Sequence, residues 1–278
     1  MRRRLVLLVG IPVLLGLLTV GPAGAESDDG RPPVGRPLYL ALGDSVAAGV
    51  GASNPAVTGY VPRLYDLLRD EPSCQLLGRP GCASLALHNL AVGGATSATL
   101  LSNQLPAAEA ELLAHNGDRN PLNDVSVVTI DIGGNDVFSV VPDCTAGPTP
   151  LCLALVQARL GAFEDNFTQI LSRLRAAAGP DTVIVAMTYY NPLRSCVREA
   201  LAPLADVVLE GGPGIEGLND RIRRISAANG VLVADTYGVL DPGDLVGGTD
   251  CLHPNDAGHQ TITEVFAGAL AGAGAQAA

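Results

Sequence analysis

The chain has 278 residues, 47% of them hydrophobic and only 4% aromatic, with 28 acidic residues against 17 basic ones and a formal charge of −11. That length supports one large domain with a substantial core and calls for no second one. The acidic balance argues against a nucleic-acid partner, and six Tyr, four Phe and no Trp argue against an aromatic platform for stacking sugars.

In chain order, Arg2, Arg3 and Arg4 precede an apolar run from Leu5 to Val20 and the small-residue stretch Ala23-Gly24-Ala25. This reads as a secretory signal peptide over residues 1–25, cleaved after Ala25, and the run is short for a membrane span. Cleavage would remove three arginines and take the charge from −11 to −14. Residues 26–37, polar and rich in Pro, Gly and Asp, read as a linker, which leaves 38–278 as the domain of a secreted, extracellular protein.

Five short apolar runs read as buried strands: Leu38–Leu42, Leu85–Ala91, Val125–Ile132, Thr182–Tyr189 and Val231–Asp235. Helical periodicity falls between them, at 58–69, 104–115, 153–178 and 215–229, with a last helix over 255–270 and a Gly/Ala-rich tail expected to fray. Strand–helix alternation implies the α/β class: a three-layer α/β/α sandwich with a central five-stranded parallel sheet. The segments 139–158 and 193–214 read as long insertions after the third and fourth strands. Open parallel sheets bind ligands beyond the carboxyl ends of their strands. Ser45 follows the first strand, Gly93-Gly94 the second, Gly133-Gly134-Asn135-Asp136 the third and Asn191 the fourth.

A serine hydroxyl is a weak nucleophile until an imidazole takes its proton, and that imidazole is best held by a carboxylate. Asp250-Cys251-Leu252-His253 supplies both groups, and Asp44 is expected to fix the turn around Ser45 by side-chain to backbone hydrogen bonds. Acyl transfer also needs donors for an oxyanion: Gly94 offers an unobstructed N–H and Asn135 a side-chain amide. Taken singly, each of these residues also fits a cap or a tight turn. His88 reads as a core residue, His115 as the end of a helix and His259 as exposed.

Six cysteines in an exported chain favour three disulfides among fifteen pairings. Local spacing favours Cys74–Cys82 and Cys144–Cys152, which leaves Cys196–Cys251. No clustered Cys/His spacing suggests a metal site.

Four segments together resemble the SGNH (GDSL-type) hydrolase family: Leu42-Gly43-Asp44-Ser45, Asn89 to Gly94, Gly133-Gly134-Asn135-Asp136, and Asp250 to His253, in the family's order. The resemblance implies a flavodoxin-like fold, Ser45, His253 and Asp250 as the catalytic residues, and an oxyanion hole from Ser45, Gly94 and Asn135. It implies no cofactor. Signal and cysteines further resemble the secreted actinobacterial lipase and esterase branch, in which some members replace the acid by a backbone carbonyl, so Asp250 favours a full triad. The expectation is a monomeric serine ester hydrolase acting on lipid, phospholipid or short- to medium-chain acyl esters, with transient contact to lipid surfaces. The alternatives are a carbohydrate O-deacetylase on the same scaffold and a non-catalytic lipid- or glycan-binding protein.

Overall fold

Apolar side chains at every position of a strand are stable only where both faces of the sheet are covered. The strands β1 (Leu38–Gly43) and β3 (Val125–Asp131) are buried throughout. β2 (Ala86–Asn89), β4 (Val183–Met187) and β5 (Leu232–Ala234) complete a five-stranded sheet in the order β2-β1-β3-β4-β5, with parallel pairings throughout. The computed structural model describes residues 35–70, 84–117, 120–140, 144, 149–212 and 214–277. The expected signal peptide, most of the expected linker, and Cys74 and Cys82 lie outside them.

Parallel neighbours need long crossovers, and these carry α1 (Tyr60–Arg69), α2 (Leu105–Asn116), α3 (Pro150–Ala178), α4 (Ala202–Glu210) and α5 (Leu218–Ala228), while α6 (Asp256–Ala277) follows the last strand. α1 and α6 pack together on one face, where the rings of Tyr60 and Phe266 stack at 5.0 Å. α2, α3 and α5 cover the other, where Phe163 and Phe167 stack at 5.1 Å. The result is a three-layer α/β/α domain. Among the described residues no helix is long and apolar enough to cross a membrane.

Three expectations need correction. β2 is an edge strand and only half-buried, so His88 is not a core residue; its Nδ1 faces Glu111 Oε1 at 3.3 Å. The expected insertion at 193–214 contains α4, whose Leu204, Ala205, Val208 and Leu209 are buried, and 150–158 is the first part of α3. The Gly/Ala tail continues as helix to Ala277, in keeping with alanine's high helix propensity.

Arg175, near the end of α3, ties this end of the domain together. Its guanidinium donates to the carbonyls of Gly179 (2.8 Å), Thr182 (2.9 Å), Asn229 (3.3 Å) and Gly230 (2.8 Å), which join the ends of α3 and α5 to the start of β4. Carbonyls at helix ends lack intrahelical partners, and a planar fork of five N–H groups reaches several at once. Arg175→Met should lower unfolding stability by about 2–3 kcal/mol, measured by urea denaturation. Arg175→Lys should recover little of it, because an ammonium cannot span four acceptors.

Candidate active site

The site starts from the end of β1. Gly43 has φ +153, and a Cβ there would collide with Asp131 Oδ1, so glycine alone permits the close approach. Gly43 also exchanges two hydrogen bonds with the Gln104 side chain, donating its N–H to Oε1 (2.9 Å) and accepting from Nε2 (2.8 Å). Gln104 ends a π-helical turn over Leu100–Gln104 that follows a short helix capped by Thr96. Such turns re-aim one side chain out of helical register.

Asp131, fully buried at the end of β3, accepts the Asp44 N–H at 2.9 Å. Burial pushes its carboxyl well above the ordinary carboxylate range, and neighbouring Asp44 adds to the shift. Asp44 in turn accepts the Val46 N–H (2.9 Å) and the Tyr189 hydroxyl (2.6 Å). Burial raises Asp44 to about 6, although both hydrogen bonds pull it back. Asn89, at the end of β2, donates to the Ala47 carbonyl at 2.8 Å. These bonds set the sharp turn that leaves Ser45 half-buried at the sheet's rim.

His253 Nε2 stands 3.0 Å from Ser45 Oγ, and its Nδ1 lies 2.9 and 3.2 Å from the two Asp250 carboxylate oxygens. Asp250 Oδ1 also accepts the N–H groups of Leu252 (2.9 Å) and His253 (3.0 Å). Partial burial pushes Asp250 upward, but the His253 imidazole and these two N–H groups outweigh it and hold the carboxyl below its usual value. With an anionic acceptor at Nδ1, a neutral imidazole carries its proton there and turns the Nε2 lone pair to the Ser45 hydroxyl. The arrangement can draw the proton from Ser45.

Several ties hold this loop. Cys196 is bonded to Cys251, with Cα atoms 5.2 Å apart; the other disulfide among the described residues, Cys144–Cys152, ties the start of α3 and not this loop. Tyr190 donates its hydroxyl to the Leu252 carbonyl (2.8 Å). Asp256, held down to about 2 by hydrogen bonds from Ser53 and Thr58, joins the loop after β1 to the start of α6.

Asn135 uses one amide hydrogen on the Ala95 carbonyl at 2.9 Å and has a second to give. Gly94, the residue before Ala95, has φ +79, and nothing would meet a Cβ there. Asn135 and Ser45 line one small pocket of about 20 Å³ with Val46, Gly134, Tyr189 and Tyr190. This pocket shares Asn135, Phe138 and Leu252 with a larger cavity of about 190 Å³ that extends to Leu193, Arg198 and Cys251. Among the described residues no cluster of His, Cys, Asp or Glu could hold a metal ion.

Two other expectations change. Asn191 is buried away from this pocket, donating to Ala202 O and Asp206 Oδ1 and accepting the Leu193 N–H. His259 is fully buried, not exposed: Nδ1 accepts the Tyr60 N–H (3.2 Å) and Nε2 meets the Val50 carbonyl (3.1 Å). His115 ends α2 as read, but buried, with Nδ1 2.7 Å from the Asn123 carbonyl. Sequence reasoning missed Asp131, Gln104 and Tyr189 and misplaced His259. Only Asp131 carries a signal, as an acid inside the apolar run Val125–Ile132.

A model of the GDSL-like lipase/acylhydrolase family matches residues 41–261. No curated protein matches the sequence. Solved structures with a similar fold include a lipase from a goat rumen metagenome (21% identity, 84% of this chain and 97% of that one, TM-score 0.61). Phospholipase A1 from Streptomyces albidoflavus (23%, 84% and 99%, TM-score 0.51) is another. A third is an acetylxylan esterase from Geobacillus stearothermophilus (19%, 85% and 95%, TM-score 0.56).

His259 makes the site sensitive to acid. Burial lowers its pKa, with its carbonyl partner and Asp256 opposing, so the folded state keeps it neutral while the unfolded chain takes up a proton below about 6.5. Its contribution is complete above that value and is lost as pH falls through the depressed folded value. Asp44 and Asp131, raised in the folded state, act in the opposite sense over the same range, so the His259 effect is read as a difference: thermal melting should show His259→Gln below the parent at about pH 7, with the gap in Tm narrowing towards about pH 5.

Proposed function

The chain belongs to the GDSL-like lipase/acylhydrolase family and is an ester hydrolase, and we propose that Ser45 Oγ is the atom that attacks the ester carbonyl. The observation that carries this reading is the unbroken relay from Ser45 Oγ through His253 to Asp250, with 3.0 and 2.9 Å links. His253 takes the Ser45 proton during attack and returns it to the leaving alcohol, and Asp250 stabilises the imidazolium. The oxyanion is held by the N–H groups of Ser45 and Gly94 and by the second Asn135 amide hydrogen. Water then attacks the acyl carbonyl as His253 takes its proton, and His253 passes that proton to Ser45 Oγ as the bond between Ser45 and the acid breaks.

For the substrate, the continuous lining of Phe138, Tyr189, Tyr190, Leu193 and Leu252 supports acyl chains longer than acetyl, and hence lipid-type esters over polysaccharide acetyl groups. Secretion is supported by the basic-then-apolar N-terminus and by disulfides, which persist in oxidising compartments. We propose residues 1–25 as the leader, 26–37 as a linker and 38–278 as the hydrolase domain. Contact with lipid surfaces is transient and the protein acts as a monomer.

Ser45→Ala should abolish turnover of a p-nitrophenyl ester, and Asn135→Ala should lower kcat by roughly 10²- to 10³-fold, both with the parent's melting temperature. Ordinary turnover by Ser45→Ala would overturn the assignment.

A further inference from the structure

The larger cavity beside Asn135 contains a charge that this mechanism leaves unused. Among the described residues its lining is Phe138, Ser139, Leu193, Cys251, Leu252, Asn135 itself and Arg198, with no carboxylate. Most other arginines among the described residues are engaged. Arg173, Arg194, Arg221, Arg223 and Arg224 pair with acids, and Arg175 caps helix ends. The Arg198 guanidinium makes no hydrogen bond or ion pair among the described residues.

Its backbone, by contrast, is fixed. The Arg198 N–H points to Cys196 Sγ (3.4 Å), its carbonyl accepts the Leu201 N–H (2.8 Å), and the preceding Val197 N–H donates to Gly248 (2.9 Å). Arg198 therefore sits on the segment that the Cys196–Cys251 disulfide joins to the loop of Asp250 and His253. A protein of charge −11 repels anionic molecules at long range. A positive group at the end of a cavity that starts at Asn135 is positioned to offset that repulsion for one ligand class.

We propose that Arg198 recognises an anionic group, a phosphate or a carboxylate, carried by the ester substrate beyond the scissile bond. The proposal rests on the reading of Ser45 as the attacking group and names the substrate class of that same site. Because Asn135 and Arg198 line one cavity, a single molecule can present its ester to the first and its anion to the second. A guanidinium meets such oxyanions with two parallel N–H donors, and charge-assisted hydrogen bonds of this kind are roughly twice as strong as neutral ones. Apolar side chains between the two ends suit a carbon linker.

Two pairs of esters test this, each below the concentration of micelle formation. One compares a 1-acylglycerol 3-phosphate with the 1-monoacylglycerol of the same chain, which puts the anion on the alcohol. The other compares a p-nitrophenyl hemiester of a dicarboxylic acid with the neutral p-nitrophenyl ester of equal length, which puts it on the acyl chain. In at least one pair kcat/KM should favour the anionic member by about tenfold, chiefly through KM and less at high salt. Which pair responds tells phosphate on the alcohol from carboxylate on the chain. Arg198→Glu should reverse the preference, Arg198→Gln abolish it and Arg198→Lys keep part of it. No preference in either pair, or an equal change for both members in Arg198→Glu and Arg198→Gln, would overturn the proposal. Failure of the parent protein on the neutral esters would instead count against Ser45.

Discussion

The hydrogen bond from the Asp44 N–H to the buried Asp131 carboxyl is the constraint from which the site is built. It draws the end of β1 against the end of β3 so closely that only glycine fits at position 43. The chain must therefore turn at once, and Ser45 is lifted over the rim instead of continuing the strand. A buried carboxyl left without a partner costs about 1–3 kcal/mol or more, so Asp131 punishes any backbone path that withdraws the Asp44 N–H. Gln104 doubles the clamp from the helical side.

Across from it, the Asp250–His253 loop has no strand to support it and relies on separate ties of different kinds. A covalent bond joins Cys251 to Cys196, Tyr190 holds the Leu252 carbonyl, and Asp256 and His259 pin the start of α6 to the segment after β1. Proton transfer depends on placement within a fraction of an ångström. Residues 208 positions apart in sequence achieve the 3.0 Å separation of Ser45 Oγ and His253 Nε2 because both sides are fixed to the same helix and sheet. Acid that protonates His259, or reduction of Cys196–Cys251, acts on this placement.

Much of this was legible in the sequence where the signal is local. Continuous apolar runs gave the strands, because a doubly covered parallel strand has no polar face to interrupt it. Ser45, Gly94 and Asn135 stand out because short motifs mark turns after the first three strands, whose ends the parallel sheet brings to one rim, whereas Asp250 and His253 stand out by their own spacing, and the set as a whole by its resemblance to the SGNH (GDSL-type) family. Residues whose meaning lies in a distant partner were not legible. Tyr189 reads as a strand residue until it is seen donating to Asp44, 145 positions away. His259 reads as surface until α6 is packed on α1. α4 was hidden because it is only nine residues long and divides its buried positions between the main core (Leu204, Val208, Leu209) and a small satellite core around the disulfide (Ala202, Ala205).

The most direct test of the account is mass spectrometry after reaction with an alkyl fluorophosphonate, which phosphonylates a serine only where a neighbouring base has activated it. The account predicts a single adduct, on the peptide containing Ser45, formed in step with loss of esterase activity, and its disappearance in His253→Ala. Activity loss with the adduct on another serine, or full modification of Ser45 with turnover retained, would contradict it.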